Sequence, residues 1–430
     1  MIRSSLLKWG GRGMWAVIDQ AAFALSNFLI SLLLARWLTL EEYGAFAVSF
    51  TVFFLVGNIH GGLLIEPMLV FGPNKYRDCI PAYVSILRYG HWVISALASL
   101  LFMLAGLVAW IGGMAVLASA LWGTGIGAPC ILFLWLMRRA CYIKFEPRRS
   151  AIVGIWYIVM MTVGVFVLNQ AQILSVFSAL LVIGLASLGA GWAISRQLKP
   201  TTSPAELDAL KASIWTAHRE YGVWASGTSI MMWIPGNLYM LFLPIWLDLE
   251  TAGALKALLS LIMPVQQAFV AIGTILIPAL VTVRDQTVYR RTLYTMLAVL
   301  GTTAFVYWLL LSTFGRTLMA WVYVGKYDAY GDLLWLFGLL PIIASAVIVF
   351  GSSLRARERP DRAFWAYAYS SAFTISIGLI MLALWGITGA TVGLVISYGV
   401  TAIVLCWFHF ALESDTAHPK LHARLEPDTP

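Results

Sequence analysis

The chain has 430 residues, of which 60% are hydrophobic and only 11% charged, with a formal net charge of +8. Soluble domains carry about 25% charged residues, so a single water-soluble core is excluded and the composition is that of an all-α integral membrane protein. In a soluble protein the positive excess would point to nucleic acid; here its placement between spans matters more than its sum, and no nucleic-acid partner is expected.

Apolar runs long enough to cross about 30 Å of hydrocarbon fall in order at 13–37, 44–70, 82–110, 114–137, 150–168, 173–194, 221–247, 253–281, 292–314, 332–353, 363–385 and 388–411, predicting about 12 transmembrane helices. The first follows MIRSSLLKWGGRG, which has the charge of a signal peptide. Its apolar run continues to Leu38, well past an h-region of about 7 to 15 residues, so an uncleaved first span is expected. Between the sixth and seventh runs lies the longest link, in which PAELDALKASI is expected to form a short surface helix opened by Ser203 and Pro204. Cys79, Cys130, Cys141 and Cys406 form no C-x-x-C and no cluster with histidine, so neither a disulfide framework nor a metal site is expected.

Lysine and arginine divide unevenly among the links. Taking alternate links as opposite sides, 23 fall on the side of both termini and four (Arg36, Lys256, Arg316, Lys326) on the other. By the positive-inside rule the termini are cytoplasmic, in the inner membrane of a bacterium. Leu34–Ala45 (LARWLTLEEYGA) and Leu243–Ala254 (LPIWLDLETAGA) match at seven of twelve positions at a constant offset of 209. Because an even number of spans separates them, the chain reads as two parallel six-helix lobes produced by duplication. The divisions are an N-terminal lobe at 1–194, a cytoplasmic linker at 195–220, a C-terminal lobe at 221–411 and a cytoplasmic tail at 412–430.

Catalytic signatures such as G-x-S-x-G, H-E-x-x-H or a Walker lysine loop are missing, so no enzyme is expected. Polar residues inside the spans carry the functional candidates, since they are expensive in hydrocarbon. Asp19 shares a helical stripe with Ser26 and Asn27, and Asp19, Asn27 and Glu66 are the ion-coupling candidates; the bland alternative is that Asp19 balances Arg12 or caps its helix. Glu66 and Arg88 bracket one turn symmetrically and could pair or meet an anionic headgroup. His91 shares the face of Arg88, where packing is the plainer role. Arg36 and Lys256 sit near span ends, where they can snorkel or extend a basic lining. Asn237, Gln266 and Gln267 are candidates for sugar hydroxyls or for helix-to-helix bonds. Pro235, Pro244, Pro264 and Pro278 make the seventh and eighth spans the expected bending elements.

The stretch WAVIDQAAFALSNFLISLLLARWLTLEEYGAFAV, with an asparagine before a Leu-rich run, then L-A-R and a short L-x-x-E-E-Y-G turn, resembles the first span of polysaccharide flippases in the multidrug/oligosaccharidyl-lipid/polysaccharide exporter superfamily. The resemblance recurs more loosely in AGALKALLSLIMPVQQAFVAIGTILIPAL and GITGATVGLVISYG. It implies a V-shaped pair of six-helix lobes that moves a lipid-linked oligosaccharide between leaflets, needs no cofactor, and is coupled to a proton or sodium gradient. Membrane lipids, a polysaccharide polymerase and export machinery are the partners it implies. Relatives often carry a cationic cavity, for which this chain offers Arg88, Arg36 and Lys256. The alternatives are an ion-coupled multidrug or metabolite antiporter of the same superfamily and a membrane polysaccharide polymerase.

Overall fold

The computed structural model describes residues 2–198, 204–283 and 285–417, with side chains over 14–198, 207–208, 210–283 and 285–413. These residues are almost wholly helical, as hydrocarbon requires when every backbone N–H and C=O must pair within its own segment. In order they form α1 (Ile2–Trp37), α2 (Leu40–His60), a π-helical turn (Gly61–Ile65), α3 (Glu66–Phe71), α4 (Ile80–Ile111), α5 (Ala115–Ile143), α6 (Pro147–Gln170), α7 (Val176–Leu198) and α8 (Pro204–Trp246). There follow α9 (Leu249–Thr282), α10 (Gln286–Tyr323), α11 (Leu334–Phe337), α12 (Leu339–Ala356), α13 (Pro360–Phe373), a second π-helical turn (Thr374–Gly378) and α14 (Leu379–Ala417).

Eleven helical stretches among the described residues are long and apolar enough to cross a membrane. The last, Pro360–Glu413, has 54 residues, far more than one crossing needs. It is broken at Gly386, whose φ of 58° and ψ of −137° are non-helical and open essentially to glycine alone. Its limbs fall on the sequence runs 363–385 and 388–411. The expected short surface helix is instead the start of the 43-residue α8. No proline lies between Pro204 and Pro235, and Gly222 serves contact rather than interruption: a Cβ there would meet the backbone of Leu63 at 2.9 Å. Likewise α8 and α9 continue through Pro235, Pro244, Pro264 and Pro278, while the departures from α geometry lie at the two π turns and Gly386.

By proximity of the backbone the chain forms two compact units, one of Met1–Trp233, Tyr239–Pro264 and Thr317–Tyr330, the other of Ile234–Leu238, Val265–Arg316 and Gly331–Pro430. In the first, α5 is central and packs on α2, α4 and α7. Small residues set that spacing. A Cβ on Gly184 of α7 would lie 2.9 Å from Cα of Gly127 on α5, and one on Gly191 would lie 2.8 Å from the Phe133 ring. The core of the second unit joins α9, α10, α12 and α14 through Phe269, Leu276, Leu293, Leu300, Val349 and Leu405.

The duplicated stretch explains itself in the first unit. Its two copies lie against each other: a Cβ on Gly44 would collide with the Leu249 carbonyl, and one on Gly253 would lie 3.1 Å from the Leu40 carbonyl and from Gly44 N. Since 40 and 44 correspond to 249 and 253, the contact is that of a local two-fold axis. The caps correspond too. Thr39 and Glu42 form a capping box at the start of α2, and at the matching positions Asp248 accepts from the backbone N and hydroxyl of Thr251, both at 2.7 Å.

Candidate functional site

Lys256 and Asn27, far apart in sequence, line one recess in the first unit with Ile30 and Ser31 of α1, Phe46, Phe50 and Phe54 of α2, and Met263 of α9. It is narrow, with room for about one water molecule. One wall is aromatic because Phe46, Phe50 and Phe54 recur every four residues on α2; Phe46 and Phe50 stack with centroids 4.9 Å apart, and Phe54 meets Phe50 edge-on at 5.1 Å. The floor is a chain of hydroxyls in which Tyr43 and Ser31 are 2.7 Å apart and Ser31 and Ser260 2.6 Å apart. Ser260 then donates to the Lys256 carbonyl at 2.8 Å. Three helices are thereby fixed around the lysine. Among the described residues no hydrogen bond or ion pair reaches the Lys256 ammonium, so the recess presents an uncompensated cation to whatever enters. Lys256 lies seven residues into α9, about 10 Å from the helix start.

Arg36 does not face this recess. Its Nε and Nη2 donate to the carbonyls of Val322 and Trp321, at 2.6 and 2.9 Å, at the end of α10. Lys326 returns the favour by donating 2.7 Å bonds to the carbonyls of Arg36 and Leu38 at the end of α1. Each cation thus satisfies orphan carbonyls at the negative pole of the other's helix. Partial burial pushes the Lys326 ammonium below its ordinary range, and the Glu42 carboxylate opposes that shift.

Asp19 is 1% exposed. Arg138 of α5 forms an ion pair with it at 2.9 Å, and the hydroxyls of Tyr142 and Ser150 donate to its carboxylate, each at 2.8 Å. The arginine also lies 4.4 Å from the Phe23 ring centroid. The carboxylate therefore ties α1 to α5 and α6; the side chain of Arg12, its expected counterion, lies outside the described residues. The signal for the true partner was present as Arg138 and Tyr142, four apart on one helix face. It was obscured because the fourth span runs on to Ile143 rather than ending before the basic pair.

Arg88 is half-buried and its Nε lacks a partner. It lines a second recess with Ile80, Val84, Met137, Lys144 and Ser195. Glu66, across the turn, is exposed. His91 is fully buried and bonds His60 ring to ring at 3.0 Å, a partner the sequence reading missed because nothing marks His60 among its apolar neighbours. Asn237, Gln266 and Gln267 are half-buried and belong to the second unit.

No protein-family model and no curated protein matches the sequence. Solved structures do match the fold. A multidrug resistance transporter of the MATE family in an inward-facing conformation superposes with a TM-score of 0.75 at 14% identity, covering 94% of this chain and 99% of the other. The lipid II flippase MurJ in an inward closed conformation gives 0.73 at 12%, covering 92% and 87%. A eukaryotic MATE transporter, AtDTX14, gives 0.64 at 16%, covering 94% and 95%. The fold is therefore shared by multidrug transporters and a lipid flippase, none of them described as an enzyme.

Proposed function

We propose that this protein flips a lipid-linked oligosaccharide across the bacterial inner membrane by alternating access, for the synthesis of a surface or extracellular polysaccharide. The observation that carries this reading is the unpartnered Lys256 in a recess walled by phenylalanines. A lone half-buried cation among apolar side chains is costly, and it becomes favourable when an anion enters. A polyprenyl diphosphate supplies that charge, and its sugars would otherwise forfeit several kcal/mol per unsatisfied polar group in hydrocarbon. In this assignment Lys256 anchors the phosphate and Asn27, on the same recess, supports it. Arg88 serves a separate phosphate contact. No bond is made or broken.

The break at Gly386 supports counting twelve crossings, and the local two-fold between Gly44 and Gly253 supports duplicated six-helix halves. With the uneven charge of the links, both termini are then cytoplasmic and Lys256 lies toward the outer leaflet. A proton or sodium gradient would drive the cycle, with a polymerase and export machinery consuming the product. The test is the leaflet location of lipid-linked repeat units in cells lacking the protein. Intact units held on the cytoplasmic face, with surface polymer lost, are expected. Unchanged polysaccharide would refute the reading in favour of an antiporter for anionic or amphipathic small molecules, and units stranded unpolymerised on the outer face would favour a polymerase.

A further inference from the structure

The buried histidines are not accounted for by the recess around Lys256. His60, the last residue of α2, and His91 of α4 are each 0% exposed, with rings nearly perpendicular at 88° and His60 Nε2 lying 3.0 Å from His91 Nδ1. Ser95 Oγ lies 3.2 Å from the same Nδ1. The outer nitrogens, His60 Nδ1 and His91 Nε2, are buried without a hydrogen-bond partner.

Two neutral imidazoles carry two N–H groups between them, and the bridge uses one N–H and one lone pair. Whichever ring donates, one buried N–H and one bare nitrogen are left over. Ser95 Oγ can accept from or donate to His91 Nδ1, and where His91 Nδ1–H donates to His60 the Nε2 of His91 is left bare. The Pro129 carbonyl of α5 faces the His91 ring, and a proton added to that ring gives it a second N–H to donate. The added charge is shared across the 3.0 Å bridge. Arg88, one turn earlier on α4, is the charged group acting on His91, and His60 faces no charge other than its partner; among the described residues no carboxylate opposes the pair. Nearby His218 of α8 is committed elsewhere, with Nε2 2.6 Å from the Tyr83 hydroxyl and Nδ1 2.9 Å from the Leu63 carbonyl.

The pair also sits on an irregular piece of backbone. The π-helical turn Gly61–Ile65 begins immediately after His60, and π-helical turns within helices are frequent at functional sites. Helix α8 holds it through His218 on the Leu63 carbonyl and Ser226, which donates to the Ile59 carbonyl at 3.3 Å.

We propose that the His60–His91 pair is a proton-binding site whose occupancy biases the π-helical turn of α2. A charged pair in this apolar setting demands water, so protonation stabilises a conformation in which this part of the first unit is hydrated. What the proton drives rests on the transport reading above; the binding of the proton does not.

The test is a pH titration of the full chain in lipid nanodiscs with ¹⁵N-labelled histidine, following ring nitrogens from about pH 8 down to about pH 3, a range wide enough for two buried rings. The His60 and His91 signals are expected to move together in one step. In H60Q the His91 signal is expected to titrate alone with its midpoint shifted by about one pH unit. Should H60Q fail to fold, Ser95→Ala keeps both rings and is expected to move the shared midpoint by about half a unit. Rings that ignore pH throughout, or a His91 midpoint that neither substitution moves, would overturn the proposal. Joint titration in a protein that flips no lipid-linked glycan would sustain the proton site and refute only the substrate.

Discussion

Replacing Asp19 tests whether its carboxylate clamps three helices. In Asp19→Asn the Arg138 side chain, 9% exposed, loses its anion, and an uncompensated buried charge costs about 3–5 kcal/mol. The amide oxygen can still accept from Tyr142 or Ser150, so about 3 kcal/mol is expected for the asparagine. Asp19→Ala also orphans both hydroxyls at about 1 kcal/mol each, for about 5 kcal/mol. Arg138→Met removes the charge that makes either change costly. In the double variant Asp19→Asn/Arg138→Met the loss should therefore fall well short of the sum, with a coupling energy of about 2–4 kcal/mol. The measurement is equilibrium unfolding of the purified full chain by detergent titration, run on the four members of the cycle. Additive effects, or an Asp19→Asn protein as stable as the wild type, would refute the clamp. A stable Asp19→Asn protein that had lost only the ion dependence of transport would make Asp19 the coupling carboxylate.

Lys256→Ala should raise stability by up to about 1 kcal/mol, because it removes a half-buried ammonium that no protein group compensates. The same change should slow export by about ten-fold or more, as loss of a charged hydrogen bond does; polymer export at normal membrane abundance measures it. Gly44→Ala forces a Cβ against the Leu249 carbonyl and should cost about 1–3 kcal/mol in the same unfolding assay, whereas Gly61→Ala, whose Cβ meets nothing within 4 Å, should lack that collision. Gly386→Ala must either strain or straighten a backbone at φ 58°, an expected loss of about 1–3 kcal/mol. Arg36→Met should cost about 1–2 kcal/mol by uncapping α10, with little effect on substrate selectivity; a changed selectivity would place Arg36 in the transport path.

Helices and their order were legible because a span is a one-dimensional signal: some twenty apolar residues with polar ends. The break at Gly386 was legible for the same reason, since Trp385 to Ile387 is where two runs meet. Partnerships were less so. Asp19 could be singled out as a buried carboxylate, but its counterion lies 119 residues away, and only the fold, which packs α1 on α6 and brings Asp19 to α5, selects Arg138 from the basic residues of that link. Arg36 and Lys256 look alike in sequence, each a cation near a span end. They differ because Arg36 is in the last turn of its helix, within reach of another helix's carbonyls, while Lys256 is two turns inside α9 with phenylalanines opposite. His60 carried no local mark, because its meaning comes from a ring on another helix.

The recess is asymmetric although residues following both copies of the repeated stretch line it. Under the offset of 209, Lys256 corresponds to Ala47, Asn27 to Gly236, Ser31 to Met240, Tyr43 to Ala252 and Ser260 to Thr51. The positions that make the backbone contact, Leu40 and Gly44 with Leu249 and Gly253, are identical in the two copies, as close approach about a two-fold axis demands. Those that face the recess differ at every one of these positions. A strictly two-fold cavity would present two lysines or none, and two ammonium groups in one narrow apolar recess would repel each other without an anion to hold them. The difference between the two copies leaves a single cation against a single aromatic wall, so the recess offers one fixed direction of charge to whatever enters it.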